Sequence, residues 1–158
     1  MKKKIINIIT ISLINIILTA SCSYQKMNSL NQKKFDIQEF EIYGDTREAF
    51  VIQKKIQRFS NKNAINKIKI FIDLKKDKSI KEKNIQNKVT KYNISLIADL
   101  KIIELNSNKE VNRIFKAEQI YGVDDSYSST VNNAKEANNS LIDTIVNEIL
   151  DHLRIYYK

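Results

Sequence analysis

The chain has 158 residues, a formal net charge of +9 at neutral pH, one cysteine, one histidine, two glycines and no proline or tryptophan. A single cysteine excludes an internal disulfide, and one cysteine with one histidine supplies too few ligands for a Cys/His zinc site. The basic excess favours an anionic partner such as nucleic acid, an anionic membrane or a charged saccharide.

The first 21 residues have the organisation of a secretory signal peptide. Lys2, Lys3 and Lys4 form a positive start, and the largely apolar run at 5–18 is followed by small residues before Cys22. A membrane span needs about 20 predominantly apolar residues, so cleavage is favoured over a permanent transmembrane helix. Cleavage leaves 137 residues with a formal charge of +6, enough for one domain. Because an exported protein does not meet nucleic acid, we expect an anionic lipid or polysaccharide as partner.

Cys22 is the candidate lipid-attachment site. Residues 18–22 (LTASC) resemble the lipobox of bacterial lipoproteins, although Thr19 stands where leucine is more usual. The alternative is a buried free thiol beside an ordinary cleavage site. Several acyl chains on Cys22 would anchor the protein stably. The resemblance to lipoprotein sorting signals implies release to the outer membrane, because Ser23 stands where the retention signal typically has aspartate. We therefore expect a signal peptide at 1–21, a lipidated tether at 22–34 and a single domain at 35–158.

The hydrophobic pattern predicts an α+β domain of six elements. Strands are predicted at 35–43, 68–74, 92–102 and 111–121, and helices at 46–59 and from about 129. In the first strand the alternation slips between Ile37 and Phe40, which predicts a bulge or a start at Gln38. Seven apolar residues between Ile142 and Tyr156 form a stripe that should cover the sheet. The order β-α-β-β-β-α predicts a two-layer sandwich with a four-stranded sheet covered by two helices.

Residues 75–88 carry six lysines, one aspartate, one glutamate and only two large apolar side chains. We therefore expect a long hairpin connection, flexible and solvated. The functional alternative is an electrostatic contact with a phosphate-bearing glycolipid, in which lysine acts as a point charge. The candidate residues for this contact are Lys88 and Lys91, which lie closest to the third strand. Arg113 on the neighbouring strand joins them if its side chain faces the same way.

The remaining polar residues predict local structural roles. His152 lies beside the apolar stripe of the last helix and has no second histidine or cysteine with which to share a metal. Asp124 and Asp125 are typical of a turn and helix cap. Asp45 and Glu48 have the spacing of a helix N-cap pair. No activated nucleophile or glycine-rich phosphate loop is recognisable, so we expect a protein that is not an enzyme and needs no cofactor or metal.

The layout resembles the LPS-assembly lipoprotein family (LptE). The resemblance rests on the lipobox-like start, the strand opening YNISL at 92–96, the returning strand that ends near Tyr121, the polar loop and the long last helix. It implies a lipoprotein on the periplasmic side of the outer membrane that helps to assemble, and plugs, a large β-barrel inserting lipopolysaccharide into the outer leaflet. It also implies lipopolysaccharide binding and no cofactor. The alternative is an auxiliary lipoprotein of an ABC-type lipid transport system.

Overall fold

The computed structural model describes residues 34–44 and 46–157. The strands in this part of the chain are β1 (Phe35–Tyr43), β2 (Asn66–Lys83), β3 (Val89–Glu104) and β4 (Glu110–Gly122), and the helices are α1 (Thr46–Gln57) and α2 (Tyr127–Tyr156). The predicted α+β class and the order β-α-β-β-β-α are confirmed. The predicted signal peptide, Cys22 and the tether up to residue 33 lie outside the described residues, as does Asp45.

The four strands form one mixed sheet in the order β1-β2-β3-β4. β1 is parallel to β2 and is connected to it through α1, because a parallel pair needs a crossover. The other two pairings are antiparallel. The predicted irregularity in β1 is confirmed, since the register shifts between Ile37 and Glu39 and leaves Gln38 as the extra residue of a bulge.

One face of the sheet carries the core. Alternate residues of the two central strands are buried there, namely Ile68, Ile70, Ile72 and Leu74 of β2 with Ile94, Leu96, Ala98, Leu100 and Ile102 of β3. Ile52 and Ile56 of α1 and seven buried residues of α2 belong to the same core. We call this the helix side of the sheet and the opposite surface the open face. Neither helix has the length and apolarity that a membrane crossing requires.

The expectation of a flexible connection at 75–88 is wrong. β2 continues to Lys83, and the ladder pairs Lys75 with Ile97 and Ile80 with Tyr92. Backbone hydrogen bonds between strands do not require apolar side chains, and lysine stems can cover apolar surface while the ammonium stays in water. We call residues 75–92 the basic arm, and only residues 84–88 within it form a turn.

Gly44 should tolerate no side chain, whereas Gly122 should. Gly44 has φ of +105°, and a Cβ there would overlap the carbonyl oxygen of Leu74. Gly44→Ala should therefore lower the free energy of unfolding by about 1–3 kcal/mol. Gly122→Ala is the control, because no atom lies within 4 Å of the place that its methyl group would occupy. Urea denaturation followed by circular dichroism measures both, and equal stability of the two variants would contradict the account.

Candidate functional site

The turn of the basic arm is held by Asn84. Its side-chain oxygen accepts hydrogen bonds from the backbone N–H groups of Gln86 and Lys88, both at 3.0 Å. Its own N–H donates to the carbonyl of Lys88 at 2.9 Å. Asn87 takes φ of +63°, a left-handed conformation that asparagine adopts more readily than most residues. The backbone of Lys88 is therefore fixed by the turn.

Two lysines of the arm make contacts on the helix side: Lys76 joins the arm to α1, and Lys78 lies over one aromatic ring of the arm and one of β4. Lys76 Nζ lies 2.6 Å from Glu48 Oε1, and the side chain of Glu48 is only 5% exposed. Lys78 Nζ lies 3.8 Å from the ring centroid of Tyr92 and 5.4 Å from that of Tyr121, which is cation–π geometry. The sequence analysis missed these contacts. The signal was the unbroken alternation that places both lysines on the same face as Leu74.

The lysines near the turn differ in whether the ammonium group already contacts another side chain. Lys91 Nζ lies 2.7 Å from Glu82 Oε2, and its hydrogen bond and charge lower the pKa of Glu82. Lys83 Nζ donates to the side-chain oxygen of Asn87 at 3.0 Å. Within residues 34–44 and 46–157, Lys88 makes no ion pair. Lys88 is thus the better-placed cation for an external anion.

Arg113 does not lie beside Lys88 and Lys91. The sequence places it in this site only if its side chain faces the same way, and it does not. Lys91 pairs with Gly122, whereas Arg113 pairs with Leu100. The nine residue-to-residue steps from Arg113 to Gly122 span about 30 Å of β4. Arg113 also projects to the helix side, like its partner Leu100, while Lys91 projects to the open face.

The charge of Arg113 instead affects the pKa of His152, which packs against β4. The imidazole packs between aromatic rings, with its centroid 6.0 Å from that of Phe115 and 6.1 Å from that of Tyr156. Burial, and secondarily the charge of Arg113, lower the pKa of His152, so the ring is mostly neutral at pH 7. The described residues contain no group of three or more His, Cys, Asp or Glu that could hold a metal. His152 is a packing residue between α2 and β4.

The N-cap residue of α2 is Ser126, so the predicted cap role of Asp124 and Asp125 is wrong. Asp124 does have the predicted turn role. Its N–H donates to Thr130 Oγ1 at 2.9 Å, and its carboxylate accepts from Asn133 Nδ2 at 2.8 Å. Both contacts close the loop that leads into α2. The predicted pair of Asp45 and Glu48 is not tested, because Asp45 lies outside the described residues.

Solved structures share this fold. The rare lipoprotein B from Shewanella oneidensis is similar with a TM-score of 0.56 and 8% sequence identity, over 73% of this chain and 92% of that one. The uncharacterized lipoprotein B from Nitrosomonas europaea is similar with a TM-score of 0.56 and 13% identity, over 78% and 86% of the two chains. No protein-family model and no curated relative matches the sequence. The similarity is one of fold, and both neighbours are lipoproteins.

Lys76 should contribute far more to stability than its neighbour Lys75. Lys76→Met leaves the buried Glu48 carboxylate without this ammonium, so the free energy of unfolding should fall by about 1–3 kcal/mol. Lys75→Met is the control, because Lys75 is 72% exposed and its ammonium lies 3.4 Å from Asp73. It should change stability by less than about 0.5 kcal/mol. Urea midpoints at constant m-value measure the difference, and equal losses would refute the role of Lys76.

Proposed function

We propose that this protein is an outer-membrane lipoprotein that assists the assembly of, and plugs, the β-barrel translocon that inserts lipopolysaccharide into the outer leaflet. The fold shared with rare lipoprotein B carries the proposal. It supports the proposal because the fold comparison and the lipobox-like residues 18–22 are independent observations that both lead to a lipoprotein. The role is one of binding and assembly rather than catalysis.

The anchor in this proposal is acylated Cys22. The tether at 22–34 would connect the lipid to the domain and keep it on the periplasmic side of the outer membrane. A covalent anchor of several chains needs no spanning helix.

The basic arm is the proposed contact for lipopolysaccharide. Lys88 stands in a fixed turn without an ion-pair partner among the described residues, and Lys91 follows it on the open face. The side chain of Ile85 in the same turn is fully exposed. A cation beside an apolar side chain suits an amphiphile whose phosphate groups lie next to acyl chains. Lysine supplies charge there without the bidentate geometry of arginine.

Purification of the full chain from outer membranes tests the proposed role. A large β-barrel should co-purify with the tagged protein, and depletion should remove lipopolysaccharide from the cell surface. Cys22→Ser is the control, because without acylation and the processing that goes with it the protein should be depleted from the outer membrane and recover less of the barrel. Recovery without any barrel would contradict the proposal. Altered phospholipid trafficking with the barrel intact would favour the ABC-type lipid transport alternative.

Charge reversal at Lys88 tests the binding site separately. Lys88→Glu should weaken binding of lipopolysaccharide about tenfold, since one lysine near an anionic surface is worth about 1 kcal/mol and the reversal adds repulsion. Combination with Lys91→Glu should weaken it further. Arg113→Glu makes the same change of charge on the opposite side of the sheet and should alter affinity less than about twofold. Titration of the full chain in detergent measures this, and equal effects at Lys88 and Arg113 would show a general charge effect instead.

A further inference from the structure

β4 is an edge strand with an exposed apolar character. In the described part of the chain it pairs only with β3, so the backbone groups on its outer side have no strand partner there. On the open face Ile114 is 70% exposed and Ile120 is 50% exposed. An edge strand with such side chains is a template for pairing with another strand.

The open-face side chains of β4 form a self-complementary pattern. They read Ile114, Lys116, Glu118 and Ile120 along the strand. In an antiparallel pair of two β4 strands centred on Ala117, Ile114 lies opposite Ile120 of the second copy. Lys116 then lies opposite Glu118 of the second copy, and each of these contacts occurs twice. Opposite charges and apolar side chains in directly opposed positions stabilise strand pairs.

Neighbouring registers lack this complementarity. Centring the pair on Lys116 places lysine against lysine, and centring it on Glu118 places glutamate against glutamate, which is destabilising. A slip by a single residue would move side chains to the wrong face. On the helix side the Ala117 register opposes Ala117 to its own copy and Arg113 to Tyr121, so no like charges meet there.

We propose that β4 is a homodimer interface, in which two copies pair antiparallel about Ala117 and extend the sheet to eight strands. In a single copy, Lys116 Nζ lies 2.7 Å from Glu118 Oε1 on the same strand. In the dimer Lys116 lies opposite Glu118 of the second copy, so each charge still has an oppositely charged neighbour. The four isoleucines lose part of their solvent contact, which favours association. The interface uses neither Cys22 nor the basic arm and does not depend on the proposed function.

Charge exchange between Lys116 and Glu118 tests the interface. Sedimentation velocity of the full chain in detergent should show a monomer–dimer equilibrium. Lys116→Glu and Glu118→Lys should each raise the dimer dissociation constant about tenfold or more, because two attractive pairs become repulsive. The double variant K116E/E118K should regain the wild-type constant. An equimolar mixture of the two single variants should form a heterodimer, since glutamates in one copy then face lysines in the other.

The control is Lys75→Glu, which makes the same change of charge on β2 and should leave the dissociation constant unchanged. A wild-type protein that is monomeric at every concentration would overturn the proposal. Dimers that persist in both single variants would also overturn it, because association would then use another part of the chain. Failure of both the double variant and the mixture to recover dimers would exclude the Ala117 register.

Discussion

The antiparallel ladder between β2 and β3 is the constraint on which the rest of the structure depends. Its first half forms the centre of the hydrophobic core, where Ile70 pairs with Ile102 and Ile72 with Leu100. The same ladder continues into the basic arm, in regular register as far as Ile80 and with two register shifts between Ile80 and Lys83. Because side chains alternate with a period of two, the positions that bury isoleucine in the core carry Lys76 and Lys78 farther along β2. One backbone pairing therefore builds both the core and the charged surface.

The transition between these halves lies where β1 ends. Tyr43 is the last residue of β1 to pair, opposite Asp73, and the sheet then narrows from four strands to three. Two contacts hold the chain at this point. Gly44 packs against Leu74 in a conformation that favours glycine, and Glu48 in the first turn of α1 pairs with Lys76. The loop before α1 and the first turn of α1 thus contact Leu74 and Lys76, two successive helix-side positions of β2 where the basic arm begins.

The sequence predicts the elements whose apolar residues are periodic. The apolar stripe of α2 follows from the period alone, whereas the slip after Ile37 left open whether β1 has a bulge or starts at Gln38. The strand in the arm was not predicted, because lysine stands at the alternate positions where apolar residues would have indicated a strand. The backbone pairing with β3 forms with either type of side chain. The side of the sheet on which Arg113 lies follows from the alternation along β4. Arg113 is two residues before Phe115 and four before Ala117, so it shares their face, and this could have been predicted from the sequence. The ion pair of Lys76 with Glu48 joins elements 28 residues apart, and no local pattern predicts it.

Amide hydrogen exchange of the full chain, resolved by residue with NMR, tests the continuous ladder most directly. Residues 91–97 of β3 have strand partners on both sides, so all their amides should exchange slowly. Residues 75–83 of β2 lie beyond β1 and pair only with β3. Protection should therefore alternate from one residue to the next over residues 75–80, where the register is regular. Uniformly fast exchange across residues 75–83 would mean that the arm is an unpaired loop, and it would contradict the account.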